Sequence, residues 1–113
     1  MNNSSTSILK GLKALANDKR LTIMEWILDP ANNFPPQIDG DLIKDGVCVW
    51  FITDKIGLSQ PTVTSHMKVL AEAGLVTHKQ IKNWVFYKPD RQAIARFTGD
   101  LGATLGSNTN MSD

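Results

Sequence analysis

Cysteine is nearly absent from this chain. Cys48 is the only one in 113 residues, so no intrachain disulfide framework is available, and the usage fits a reducing compartment. Long apolar runs are missing too: none approaches the ~18 residues that a membrane span requires. Residues 1–7 are polar and uncharged, unlike the start of a secretory signal. The expectation is a cytoplasmic protein with no membrane partner. Neither sign of charge dominates, since twelve Lys and Arg face eleven Asp and Glu for a formal net charge of +1. Averaged over the chain, that balance argues mildly against nucleic acid as a partner. Catalytic constellations are also lacking. There is no nucleophile–base pairing, no Gly-rich phosphate loop and no paired carboxylates in a well-formed element, so neither an enzyme nor a cofactor is expected.

What remains is ordinary globular material, 42% hydrophobic and 20% charged in 12.5 kDa. That bounds the chain to one domain, residues 1–113. A domain of this size buries only about two-thirds of its unfolded surface, so extra burial by dimerisation is expected.

Residues 8–28 show helical periodicity in two phases. Ile8, Leu12 and Leu15 share one face, and Leu21, Met24, Ile27 and Leu28 share another. Asn17 and Asp18 between them are cap residues, which predicts two short helices or one sharply bent helix ended by Pro30. The pattern is then lost over 29–46, a stretch with three prolines, two glycines and four aspartates. A loop of that length is usually functional or mobile. A short helix over 50–56 would bury Phe51, Ile52 and Ile56, and Gly57 would end it. Ser59 followed by Gln60, Pro61 and Thr62 has the form of a helix start. Val63, Met67 and Leu70 then follow at helical spacing, and Gly74 supplies a left-handed stop. Beyond it, 75–81 and 84–88 read as a β-hairpin, with Asn83 taking the positive φ of the turn. Pro89 and Asp90 open a last helix over 91–105 with Ile94, Phe97 and Leu101 on one face, and 106–113 reads as a frayed tail.

A helix-turn-helix followed at once by a hairpin is a winged helix. The fold class is therefore mostly α with a small β-hairpin, in the order α-α-α-α-β-β-α, and dimeric. Removing the core positions from the second helix leaves Gln60, Thr62, Thr64, Ser65, Lys68 and Glu72, of which the first five are short or amide side chains plus one cation that suit base edges and phosphates. Ser59 at the helix start joins this set, and Lys79, Lys82 and Asn83 on the hairpin would meet the flanking backbone. Charge by segment agrees. Residues 55–91 carry six cations against two acids, whereas 29–45 carry one cation against four acids. A basic reading head is thus masked by an acidic loop. The alternative function is a winged-helix protein–protein interaction module that binds no DNA.

The run Leu12-Lys13-Ala14-Leu15-Ala16-Asn17-Asp18-Lys19-Arg20-Leu21 resembles the LxALAxxxRL opening of the ArsR/SmtB family of bacterial repressors. Residues 57–70, Gly57-Leu58-Ser59-Gln60-Pro61-Thr62-Val63-Thr64-Ser65-His66-Met67-Lys68-Val69-Leu70, resemble its recognition-helix signature, which runs on through Ala73-Gly74-Leu75-Val76. The hairpin 79–87, ending in Phe86-Tyr87, is similar to its wing. The resemblance covers nearly all of residues 8–100 apart from the long loop. It implies a homodimeric repressor, joined through its first and last helices, that binds a roughly palindromic double-stranded operator and releases it when a small effector binds.

The sensing chemistry departs from the family. Many relatives place a Cys-Val-Cys sequence ahead of the recognition helix to bind soft ions. Here the run is Cys48-Val49-Trp50, with Thr53 at the third position, and one thiolate cannot chelate. The family's other design, Asp, His and Glu on the last helix, also fails, since 91–105 holds Asp100 as its only acid and no histidine. No metal site is expected. Cys48 keeps three readings: a small buried residue, a redox or electrophile switch, or a ligand completed by other groups. Trp26, Trp50 and Trp84 are read as core or hinge packing, His66 as a packing or DNA-backbone residue, and His78 as a solvated strand residue. The 29–46 loop either packs beside the helix-turn-helix, forming part of an effector pocket or a dimer-supporting flap, or is a solvated acidic insertion that limits nonspecific DNA binding.

Overall fold

Asn17 decides how the chain begins. Its backbone is extended, and its Oδ1 accepts from the amides of Lys19 and Arg20 at 3.0 and 3.1 Å, so one helix stops and another starts. In the computed structural model, which describes residues 3–106, these are α1 (Asn3–Leu15) and α2 (Asp18–Leu28). The first helix starts ahead of Ile8, because its opening turn carries no apolar residue and so leaves no periodic trace in the sequence. A single turn, α3 (Pro30–Asn33), follows α2, and then an irregular loop leads to β1 (Val47–Cys48).

The helix-turn-helix is α4 (Val49–Ile56) and α5 (Gln60–Glu72), and the hairpin is β2 (Val76–Ile81) and β3 (Trp84–Pro89). Asp90 Oδ1 accepts from the Ala93 amide at 3.0 Å and opens α6 (Arg91–Gly106). Gly106 therefore closes a helix, and the rest of the expected frayed tail lies outside the described residues.

The hairpin is two strands of a three-stranded antiparallel sheet in the order β1-β3-β2, with Val47 opposite Tyr87 and Cys48 opposite Phe86. Two residues are too few to show alternation, which is why β1 left no sequence signal. The turn also differs from expectation: the positive φ falls on Lys82 (56°), not on Asn83. Gln80 Nε2 donates to the Lys82 carbonyl at 3.1 Å and holds the turn from the strand side.

Ile23 and Ile27 from α2, Ile52 from α4, and Val63, Met67 and Leu70 from α5 are fully enclosed, with Val47, Val76 and Tyr87 closing the core from one sheet face. In α4 the buried stripe is Val49, Ile52 and Thr53, while Phe51 and Ile56 are half-buried. Thr53 is admitted because its hydroxyl donates to the Val49 carbonyl at 2.8 Å. The same stripe turns Trp50 outward, 50% exposed, and Trp84 near the hairpin turn is 41% exposed, so neither is a core residue. Trp26 does pack, edge-on to Phe34 at 6.4 Å and beneath Lys55 Nζ at 4.8 Å.

The other sheet face carries Phe86, 1% exposed yet outside the main core. What covers it is the loop. Gly40, with φ of +79°, lies so close to the Phe86 ring that a Cβ there would stand 2.9 Å from it. Gln37 fastens this layer. Its Nε2 donates to the Gly46 carbonyl at 3.1 Å and to the Gly40 carbonyl at 3.4 Å, and its Oε1 accepts from the Cys48 amide at 2.7 Å. The segment is therefore a packed third layer over the sheet. Phe86→Ala is expected to cost about 3–5 kcal/mol in denaturant unfolding; a loss under about 1 kcal/mol would show that the loop does not bury this ring.

Candidate nucleic-acid interface

Helix α5 is fixed at both ends and along one side. Ser59 Oγ accepts from the Thr62 amide at 3.4 Å and lies 2.9 Å from the Thr62 hydroxyl, while Pro61 occupies the first turn. At the far end Gly74 (φ +81°) directs its amide to the Ala71 carbonyl and Leu75 directs its own to Leu70, a Schellman stop with Leu75 buried beneath it. Gly57, left-handed at φ 76°, ends α4 and sets the short turn between the two helices. Burial of Val63, Met67 and Leu70 then decides which side faces out.

The structure brings Gln60, Thr62, Thr64, Ser65 and Lys68 together as exposed residues of α5. Ser59 and Thr62 also build the helix start, so their hydroxyls are engaged with each other. Lys68 forms no ion pair among the described residues. Lys79, Lys82 and Asn83 are exposed on the hairpin, but the two lysines differ from Lys68. Lys79 Nζ lies 2.5 Å from Asp45 Oδ1, and Lys82 Nζ lies 3.0 Å from Asp39 Oδ1. Lys79 beside it, helped by the Asp41 amide, holds the Asp45 carboxyl below the usual carboxylate range.

Arg20 has a role that sequence reading did not assign, although it stands inside the LxALAxxxRL run. Its Nε donates to the Ala14 carbonyl at 2.6 Å and its Nη2 to the Lys13 carbonyl at 3.3 Å, satisfying the end of α1. Its Nη1 lies 3.2 Å from His66 Nδ1, so one guanidinium joins α1, α2 and the middle of α5. Burial first, and the Arg20 charge second, depress the His66 pKa against the opposing pull of Asp18. His78 is exposed on β2, with its ring 6.0 Å from Tyr87.

Cys48 is 8% exposed in β1. Among the described residues no three His, Cys, Asp or Glu side chains gather around a common point. An open cavity of ≈ 700 Å³ lies between the end of α2, the loop and the start of α6, with Leu28, Leu42 and Ile43 in its wall. Lys88 and Arg91 at its edge donate to the Lys44 and Leu28 carbonyls at 3.0 and 2.7 Å.

Residues 47–78, from β1 into β2, match the family described as "Bacterial regulatory protein, arsR family". The HTH-type transcriptional regulator YbzH of Bacillus subtilis (strain 168), described as uncharacterized, is 38% identical over 89 residues, covering 79% of this chain and 89% of YbzH. This chain belongs to the arsR family of bacterial regulatory proteins. Nodulation protein NolR of Rhizobium meliloti is 26% identical over 98 residues, covering 87% of this chain and 68% of NolR. The solved structure of HlyU from Vibrio cholerae N16961 has a TM-score of 0.62 at 25% identity, covering 96% of this chain and 100% of HlyU. The fold is a winged helix-turn-helix, and the protein is a DNA-binding transcriptional regulator rather than an enzyme. Membership also displaces the alternative of an interaction module without DNA. The family match begins at residue 47, so the acidic loop lies outside it.

The Arg20–His66 contact has a pH signature. Above the ordinary imidazole value of 6.5 the folded and unfolded chains both hold His66 neutral. Below it the unfolded chain takes up a proton that the folded chain resists, so stability falls as pH falls. His66→Gln is expected to flatten the loss of unfolding free energy between pH 7.5 and pH 5.5, read from denaturant midpoints at each pH. Equal slopes in both proteins would remove His66 as the cause.

Proposed function

We propose that this regulator is a homodimeric repressor that lays α5 in the major groove of a pseudo-palindromic operator and its wing along the flanking backbone. In this reading Gln60, Thr62, Thr64 and Ser65 read base edges, Ser59 and Lys68 contact the backbone beside them, and Lys79, Lys82 and Asn83 follow the neighbouring phosphates. The observation that carries it is the exposed polar side of α5, presented on a helix whose opposite side and both ends are fixed. DNA as partner puts its work in the cytoplasm.

The dimer rests on α1 and α6. The two pack so closely that a side chain at Gly11 would run into the Phe97 ring, yet α6 has no fully buried residue over its length. Leu9, Leu12 and Leu105 are exposed large apolar residues on these same helices. A two-fold partner that covers them would bury what one chain cannot. A small effector has its natural place in the ≈ 700 Å³ cavity, which the loop walls on one side. Cys48, enclosed beneath Gln37, is assigned to packing rather than sensing.

Two experiments test this. On DNA from upstream of the protein's own gene, Lys68→Ala should weaken binding across sequences and, with one Lys68 lost from each subunit, reduce the slope of log K against log salt by about 1.8. Changes at Gln60 or Ser65 should instead alter sequence preference, and unaltered binding by the Gln60, Ser65 and Lys68 triple alanine variant would end the assignment of α5. Leu12→Glu should yield a monomer in analytical ultracentrifugation and bind the operator at least about tenfold more weakly, a loss equivalent to about 1.4 kcal/mol. A dimer that survives Leu12→Glu with full affinity would place the interface elsewhere.

A further inference from the structure

We infer that the loop of residues 37–46 is a built-in competitor for DNA: Asp39 and Asp45 hold Lys82 and Lys79 in the free protein, in the places phosphates would take. This inference rests on the wing-to-backbone reading above.

The two ion pairs found among the described residues both join this loop to the hairpin. The lysine of the reading helix, Lys68, has no such partner there. The carboxylates are presented by a preformed scaffold rather than by a floating segment. Gln37 ties the loop across Gly40, Gly46 and Cys48, and Gly40 is seated on Phe86. Asp41 Oδ2 accepts from the Ile43 and Lys44 amides at 3.0 and 2.8 Å, and Asp45 Oδ2 accepts from the Asp41 amide at 2.7 Å. Lys88 Nζ reaches across to the Lys44 carbonyl at 3.0 Å. Asp45 is thus aimed at β2 and Asp39 at the turn.

Exchange of a carboxylate for a phosphate has a defined consequence. When the wing engages DNA, counterions leave the phosphates, but each lysine must first give up its aspartate, which is left as an unpaired charge beside the duplex. The wing cations then add little affinity on any DNA, and discrimination falls to the contacts of α5 with bases. Asp39 and Asp45 therefore lower affinity for every duplex alike without touching DNA.

The test compares wild type with Asp39→Asn/Asp45→Asn on the upstream duplex and on a random-sequence duplex, over a salt series. Asparagine at 45 can still accept from the Asp41 amide, so the loop keeps its shape. The double variant is expected to bind both duplexes about 10-fold more tightly, with a steeper salt slope and an unchanged upstream-to-random ratio. Amine acylation with mass spectrometry gives an independent readout without DNA, in which Lys79 and Lys82 react faster in the variant while Lys68 is unchanged. Unchanged affinity and slope together with unchanged lysine reactivity would overturn the inference. Should the variant keep its faster lysine reactivity but bind both duplexes as wild type does, the wing contacts no backbone, and the reading on which this rests has failed.

Discussion

Burial of one stripe of α5 is the constraint from which the rest follows. A 13-residue helix is marginal on its own in water. Seating Val63, Met67 and Leu70 against α2 and α4 removes them wholly from solvent and fixes the rotation of the helix about its axis. That rotation decides which residues face outward, and no contact made by the outward residues themselves is needed to set it. Arg20 adds a polar tie from the α1–α2 junction to His66 in the same helix. The outward side of α5 is therefore coupled in position to the junction of α1 and α2.

The parts legible in the sequence were those whose signal is local. Asn17, Ser59, Gly74 and Asp90 mark helix ends through one side chain or one backbone conformation, and each was readable without knowing what lay nearby. The 3.6-residue period of α5 was readable for the same reason, and with it the set of outward residues. Features that depend on distant partners were not legible. A two-residue strand exists only because β3 is there to pair with it. Trp50 is exposed because the stripe of α4 starts at Val49, which hydrophobicity alone does not reveal. In the turn, Asn83 is the better residue for positive φ by propensity, yet Lys82 takes it.

Charge shows the same division. Counting by segment separates a basic half from an acidic loop, because composition alone fixes the sign of each. What a count could not give was distance. Aspartates scattered in solvent and aspartates held within 3.0 Å of wing lysines contribute the same total, but only the second arrangement alters what the lysines are free to do. The seat of Gly40 on Phe86 converts composition into position.

Gln37 has a bearing on the protein's solubility as well. β1 lies at the edge of the three-stranded sheet, and an open edge is a template on which a strand from another molecule can add. The Cys48 amide there is already bonded to Gln37 Oε1, so a side chain fills the place that a foreign backbone would otherwise occupy. The loop thereby occupies a backbone donor of that edge using a residue that carries no charge.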